Sequence, residues 1–352
     1  MATRTLQYHD ARPFPSGRLR HRRERLNRHG GHADIWYHLA FIRPVAAMIV
    51  RNIPSWFRLL FVWHGSVLPR ILPRLVLVLA VAVAAASIRH WWLASLRESS
   101  LGIPTFTLLG VSLAIFLGFR NSVSYDRFWE ARKLWGSLLI ASRSLGRQML
   151  AALGDDADSR RFVDAICAFA YALKAQLRGD DADAHLQRLL PAQERERIMA
   201  GSFRPALILA WLGREAQRLQ RAGRLSELQW HALDRNLNTL SEILGGCERI
   251  ATTPMPFTYR VLLNRTVTIY CLLLPAGLAS SIGWLTPPIA VFIAYTYFAL
   301  EQIAEELEEP FGTEGNDLPL STLCHTIESS LREMQGLPLE APPPPRRGIY
   351  LH

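Results

Sequence analysis

The hydrophobic residues of this chain are concentrated in a few long stretches. Residues 101–119 and 266–300 contain no Asp, Glu, Lys or Arg, and residues 75–88 form a third, shorter stretch without them. A bilayer core of about 30 Å requires about 20 mostly apolar residues for one helical pass. The clustering therefore predicts membrane-spanning helices, although a mean hydropathy of only +0.08 would also suit a soluble protein.

These stretches predict two hairpins of spanning helices. The first pairs a helix over residues 75–96 with one over residues 101–119, and the link between them is only four residues long. The second occupies residues 266–300 and turns near residues 282–288, where Gly283 and two prolines interrupt the apolar run. Four spans per chain follow from this pattern, within a domain of residues 48–119 and a domain of residues 266–300.

Between the hairpins, residues 120–265 alternate polar and apolar positions at helical spacing. Residues 301–336 continue in the same way after the second hairpin, so we expect an all-α membrane protein with a large helical cytosolic domain. The amphipathic stretches of the central domain lie near residues 162–177, 193–221 and 225–250.

The two ends of the chain differ from the rest in composition. Residues 1–47 hold nine arginines against three acidic residues, which accounts for +6 of the formal net charge of +10. We interpret this segment as a basic, disordered extension, with an arm on anionic headgroups as the alternative. Residues 337–352 form a proline-rich tail. Basic residues beside the spans place both termini in the cytoplasm of a cell (inner) membrane.

No motif of a known enzyme class occurs in the sequence. Nucleotide-binding, metalloprotease, hydrolase and paired-cysteine signatures are missing, and the histidines do not cluster at ligand spacing. We therefore expect no enzyme, no cofactor and no metal site. The basic residues lack a recognition motif for nucleic acid, so nucleic acid is not an expected partner. The four cysteines are far apart and predict packing thiols.

The second predicted span carries two parallel stripes. Small residues recur every fourth position, which allows helix backbones to approach closely in lipid. One position further on, apolar side chains recur at the same spacing. A ring of identical helices would use the small stripe for contact and the apolar stripe to form a hydrophobic constriction, whereas ordinary helix packing is the alternative. The small stripe is Gly110, Ala114 and Gly118, and the apolar stripe is Val111, Ile115 and Phe119.

The residues after this span resemble the bacterial branch of the bestrophin family. Residues 119–136 (FRNSVSYDRFWEARKLWG) carry the strongest part of the resemblance. It extends over roughly residues 48–334 and includes WFRLLFVW at 56–63, NTL at 238–240, GCERI at 246–250, TPMPF at 253–257 and EPFG at 309–312.

The resemblance implies a homopentameric ion channel with four membrane spans per subunit. Its partners would be the lipid bilayer, further copies of itself and small monovalent ions. The pore neck of the family falls on Val111, Ile115 and Phe119, and a lower constriction in the cytosolic domain falls near Leu228. Chloride is the usual permeant ion of the family, but the sequence does not exclude cations.

Charged residues at the cytosolic end of the neck give opposite indications about the ion. Arg120 would favour anions, whereas Asp126 and Glu130 would favour cations. Each of them, and Arg127 above all, would alternatively pair with a neighbouring helix. Residues 313–317 offer too few adjacent oxygen ligands for the calcium clasp of animal members. The five glutamates within residues 301–309 are expected to form a solvated helix face.

Two further readings remain open. A secondary transporter would require ionisable groups in mid-membrane, which residues 101–119 and 266–300 lack. A membrane-anchored scaffold would use the amphipathic helices and the proline-rich tail to bind a cytosolic partner.

Overall fold

The computed structural model describes residues 48–49, 57, 63, 65–91, 103–338 and 350–351, and ten α-helices lie within them. The extension 1–47 and most of the proline-rich tail lie outside the described residues, as does the link between the first two spans. The helices are α1 (Leu68–Trp91), α2 (Ile103–Leu153), α3 (Ala157–Arg178), α4 (Asp183–Leu189), α5 (Ala192–Met199), α6 (Arg204–Arg221), α7 (Glu227–Thr252), α8 (Phe257–Ile282), α9 (Thr286–Glu308) and α10 (Leu320–Met334).

Helix α2 is the longest element and connects the apolar and the polar parts of the protein. Its 51 residues extend over about 76 Å at about 1.5 Å per residue. The sequence predicts a span that ends at Phe119 and a new domain from residue 120. The helix instead continues to Leu153, and no proline after Pro104 interrupts it.

Three continuous helical stretches among the described residues are long and apolar enough to cross a membrane: Leu68–Arg89, Phe106–Leu153 and Phe257–Glu308. The third consists of α8 and α9, which a 3₁₀ turn at Gly283–Leu285 separates. Gly283 has a positive φ of 54° at this turn, a conformation that favours glycine. The predicted turn therefore lies at Gly283, whereas Pro275 is accommodated inside α8.

The apolar helices α1, α8 and α9 pack together and against the first third of α2. We call this group the spanning bundle. Its core contains Ile71 and Val78 of α1, Leu117 of α2, Cys271 of α8 and Phe298 of α9, all at most 1% exposed. Burial of such side chains stabilises the packing of the four helices against each other.

The rest of α2 packs with α3, α7 and α10, and α6 packs against α3 and α7. We call these five helical parts the amphipathic bundle. Helix α3 lies at its centre, and Phe162, Ile166 and Phe169 are fully buried there. The predicted amphipathic stretch at residues 193–221 is divided between α5 and α6. All four cysteines are buried and free, Cys271 in the spanning bundle and the others in the amphipathic bundle.

One feature departs from an all-helical fold. Met48–Ile49 and Tyr350–Leu351 form two short strands, β1 and β2, which pair antiparallel with Met48 opposite Leu351. The sequence predicts no strand in either position, because two-residue strands leave no alternation to detect.

Candidate functional site: an apolar stripe on the long helix

Helix α2 packs against its own chain with only one face. Gly110, Leu117, Arg120 and Ser124 are buried, and the ideal rotation of about 100° per residue places them on one side of the helix. The same rotation places the apolar stripe about 180° away from the centre of that side. The stripe therefore points away from the rest of the subunit.

The exposure of the stripe agrees with this geometry. Val111, Ile115 and Phe119 are 54%, 53% and 64% exposed in the single chain. Large apolar side chains that are exposed in a contiguous row mark a surface that contacts lipid, another subunit or a passage. No charged residue lies on α2 between its start and Phe119.

The small residues of α2 do not all behave alike. A Cβ at Gly110 would lie 2.6 Å from the hydroxyl of Tyr270, and Tyr297 donates a hydrogen bond of 2.8 Å to the Gly110 carbonyl. The sequence predicts a contact between Gly110 and the next copy of the helix. That prediction is wrong for Gly110, because α8 and α9 of the same chain occupy its surface.

Ala114 and Gly118 are different, since both are exposed in the single chain. No described atom lies within 4 Å of the place where a Cβ at Gly118 would stand. By rotation, both residues lie between the buried face of α2 and the apolar stripe. They stay candidates for contact with a neighbouring helix.

Leu228 is the most exposed of the large apolar residues on α7, at 81%. It lies in the first turn of that helix, which Ser226 and Gln229 fix by a reciprocal capping box. The Ser226 hydroxyl accepts from the Gln229 amide at 3.3 Å, and the Ser226 amide donates to Gln229 Oε1 at 2.9 Å. Such a cap stabilises the start of the helix that carries Leu228.

Arg120 is buried inside the chain, although it directly follows the stripe. It is 1% exposed, and its Nη2 lies 3.5 Å from Oε2 of Glu308, which is 3% exposed. Oε1 of Glu308 also accepts a hydrogen bond of 3.1 Å from the Met255 amide. Arg120 therefore forms an ion pair between α2 and α9. Its charge is not presented to a passing ion, which is the other role expected for this residue.

Arg127 joins two helix ends, but through carbonyl groups and not through the ion pair that the sequence suggests. Its guanidinium donates to the carbonyl oxygens of Ile250 and Thr253, both at 2.7 Å, and to that of Glu308 at 3.3 Å. Carbonyl groups at helix C-termini lack intrahelical donors, and an arginine supplies them. Arg127 thus fixes α2 against the ends of α7 and α9.

The two acidic residues below the stripe have different surroundings. Glu130 forms a solvent-exposed ion pair with Arg249 of α7. Asp126 is exposed and forms no ion pair with any residue that the structure describes. The rotation of α2 places Asp126 on the same face as Val111, Ile115 and Phe119.

The glutamates near the end of α9 form the expected solvated face only in part, because Glu305 and Glu309 are exposed whereas two of the others are not. Glu301 and Glu308 are buried, and each pairs with an arginine of the spanning bundle. Glu306 binds Arg70 at 3.0 Å and the Asn316 amide at 2.7 Å. Distant residues determine these contacts, and no local pattern indicates them.

Asp317 is a buried acid in the loop that follows α9. Its Oδ2 accepts a hydrogen bond of 2.6 Å from the Glu314 amide. Burial raises the pKa of Asp317 to about 7. Across the described parts of the chain, no group of three or more His, Cys, Asp or Glu side chains is arranged to hold a metal ion.

Comparison with known proteins assigns this helical membrane protein to a class. The model of the family described as "Bacterial/Fungal Bestrophin protein" matches residues 48–333. The chain belongs to this bestrophin family.

Two relatives carry functional names. The chain is 47% identical over 294 residues to a "Voltage-dependent anion channel-forming protein" of Ralstonia nicotianae, which covers 83% of this chain and 95% of that protein. A protein of the same description from Escherichia coli strain K12 is 43% identical over 291 residues, with 82% of this chain and 94% of the relative covered.

A solved structure is also similar. The crystal structure of a bacterial bestrophin homologue from Klebsiella pneumoniae is 46% identical, with a TM-score of 0.72. The similarity covers 76% of this chain and 99% of that one. The described helices therefore have the bestrophin fold.

Proposed function

We propose that this protein is an ion channel that lets small monovalent ions pass down their gradient through a hydrophobic neck. The observation that carries the proposal is the face of α2 opposite its packed side, where Val111, Ile115 and Phe119 are more than half exposed. The channel-forming relatives support the same function.

The neck requires several copies of α2 around an axis, and we propose a homopentamer with four spans per subunit: α1, the first part of α2, α8 and α9. Each α2 has small residues, Ala114 and Gly118, on one flank of the stripe. On the other flank lie Leu109 and Phe116, which are 52% and 51% exposed. Large side chains on one flank and small ones on the other form a head-to-tail contact, and such a contact forms a ring when the rotation between neighbours closes.

The neck works without charged groups. A narrow passage lined by aliphatic and aromatic side chains excludes water when closed and conducts when it widens enough to fill. Leu228, at the capped start of α7, forms a second constriction in the amphipathic bundle. Both termini and this bundle lie in the cytoplasm, and the spanning bundle lies in the inner membrane.

Two observations favour opposite signs for the permeant ion. The names of the relatives favour anions. The position of Asp126 favours cations, because an unpaired carboxylate on the neck face of each subunit would form a ring of negative charge below Phe119. Arg120 does not counter this ring, since it is buried against Glu308. A cation-conducting channel is therefore the second candidate.

Purified protein in liposomes tests the proposal. A KCl gradient should collapse without ATP, and Ile115→Ala should raise the flux because it widens the neck. Ile269→Ala is the matched control, since Ile269 lies on α8 with a similar exposure of 55%. Equal flux in both variants and in the unmodified protein would contradict the assignment of the neck. The sign of the reversal potential in the same gradient decides between anions and cations.

A further inference from the structure

A polar cavity of about 330 Å³ opens at one end of the spanning bundle. It lies where α1 and α8 begin and where α9 ends, next to the residue that follows the neck on α2. The residues that line it are Arg74, Arg120, Arg260, Val261, Asn264, Arg265, Glu301 and Glu305. Four arginines and two glutamates leave a formal excess of two positive charges in the lining.

One wall of the cavity is already neutral and fixed. Arg74 Nη1 binds Glu301 Oε2 at 3.0 Å, and the Asn264 amide donates to Glu301 Oε1 at 2.7 Å. Both carboxylate oxygens of Glu301 are therefore occupied. The excess charge comes from the arginines on the other walls.

Two of these arginines project from the first turns of α8. Arg260 lies over the ring of Phe257, with its guanidinium carbon 5.7 Å from the ring centroid. Neither Arg260 nor Arg265 forms an ion pair with another residue of the described ranges. Both guanidinium groups keep donors for a ligand.

Arg120 supplies the independent indication that the cavity holds a ligand. Its side chain is 1% exposed, and its Nε and Nη1 have no hydrogen-bond partner among the described residues. Glu308 approaches only Nη2, and at 3.5 Å that contact is long. Buried donors without an acceptor are costly, especially on a charged group. An acceptor in the cavity would remove this cost.

We propose that the cavity binds a phosphate group, which Arg120, Arg260 and Arg265 hold. Planar guanidinium groups donate pairs of parallel hydrogen bonds to the oxygens of phosphate, so several arginines favour an oxyanion over a single-atom ion. The volume also exceeds what a chloride ion needs. The site is separate from the neck stripe, and its occupation does not depend on conduction.

The position of the cavity allows two sources of the phosphate group. A phospholipid headgroup can enter, because the lining residues lie at the ends of helices that span the bilayer. Inorganic phosphate can enter from the aqueous phase. Both would make the same contacts with the arginines.

Thermal unfolding of the purified, full-length protein in neutral detergent tests the proposal. Sodium phosphate is titrated at constant ionic strength in one arm. In the other, phosphatidylglycerol is added to the micelles, with diacylglycerol as the lipid that lacks a phosphate. We expect the unfolding midpoint to rise with a phosphate-bearing ligand. Arg265→Gln should weaken the apparent affinity about tenfold, since it removes a charge-assisted contact. Arg89→Gln, at the opposite end of α1, should leave the affinity unchanged.

The outcomes distinguish the sources. A response to phosphatidylglycerol alone supports the site with a lipid headgroup as its ligand, and a response to sodium phosphate supports a soluble ligand. No response to either, or an equal response in Arg265→Gln and the unmodified protein, overturns the proposal. The proposal is also overturned if Arg265→Gln no longer forms the oligomer and the unmodified protein does not respond to phosphate. The arginines would then bind a neighbouring subunit instead. Arg260→Gln repeats the test if Arg265→Gln does not fold.

Discussion

The buried pair Arg120–Glu308 offers a sharp test of how α2 is held against α9. In Glu308→Gln, the amide oxygen can still accept from the Met255 amide, so the substitution removes the charge and keeps the hydrogen bond. Arg120 then remains at 1% exposure without an opposite charge beside it. The spanning bundle would have to accommodate an uncompensated cation.

The magnitude follows from the separation of the two charges. At 3.5 Å and an effective dielectric constant of about 20, the attraction is about 5 kcal/mol. Removal of one partner of a buried pair costs about 3–5 kcal/mol, because the other charge stays desolvated. Replacement of both partners by apolar residues, Arg120→Met with Glu308→Leu, should cost much less than Glu308→Gln alone.

Thermal unfolding in detergent, followed by tryptophan fluorescence, measures these differences. Glu308→Gln should lower the unfolding midpoint by roughly 5–15 °C. Glu194→Gln is the control, because it breaks the partly exposed pair of Glu194 with Arg214 and should cost less than about 1 kcal/mol. A midpoint for Glu308→Gln equal to that of the control would refute the reasoning, as would a double variant less stable than Glu308→Gln.

Three further predictions concern the loop after α9, the assembly and the ion. Burial raises the pKa of Asp317 to about 7. Between about pH 4 and pH 7 the folded state therefore keeps a proton that the unfolded state has lost. The stability of the folded state falls as the pH rises through this range. Asp317→Asn should remove this fall: its free energy of unfolding should exceed that of the unmodified protein by up to about 4 kcal/mol at pH 8 but by little at pH 4. Denaturation curves at the two pH values measure this, and the same difference between variant and unmodified protein at both would contradict it. Gly118→Leu should prevent assembly of the oligomer, whereas Gly213→Leu on α6 should not, and light scattering measures the oligomer mass. Intact oligomers of both variants would contradict a contact between Gly118 and the neighbouring α2. Ile115→Phe should shift the reversal potential toward anions, because an aromatic edge is electropositive; an unchanged potential would remove that argument.

Local periodicity is sufficient to predict that the apolar stripe lies on one face of α2, but not what surrounds it. The spacing of four between Val111, Ile115 and Phe119 puts them on one face of any helix, so their alignment needs no tertiary information. Which face of α2 packs against the chain depends on Tyr270 and Tyr297, more than 150 residues away. For that reason the spacing alone does not reveal that Gly110 contacts α8 and α9 of its own chain.

Charged residues were the least predictable part of the site. Arg120 and Arg127 lie seven residues apart, which is about two helical turns. One pairs with a buried carboxylate, yet the other binds three carbonyl oxygens. Glu301 and Glu308 lie in a run of glutamates that reads as a solvated face. Their burial follows from the packing of α9 against α1 and α2, which composition does not reveal.

The boundary at residue 119 shows a related limit. Hydropathy changes sharply between Phe119 and Arg120, and a change of environment predicts the end of a span. It does not predict the end of a helix, because a helix can continue from an apolar into a polar environment with its backbone hydrogen bonds intact, as α2 does. One continuous helix, α2, thus carries the apolar stripe and part of the amphipathic bundle.

The central claim is that Ile115 lines the path of the ions, and modification of a single cysteine tests it most directly. The four native cysteines are buried, so a new one at position 115 would be the reactive thiol. In planar bilayers, a water-soluble thiol reagent should reduce the current of Ile115→Cys and leave that of Ile269→Cys unchanged. An undiminished current in Ile115→Cys, with modification of the thiol verified by mass, would contradict the account.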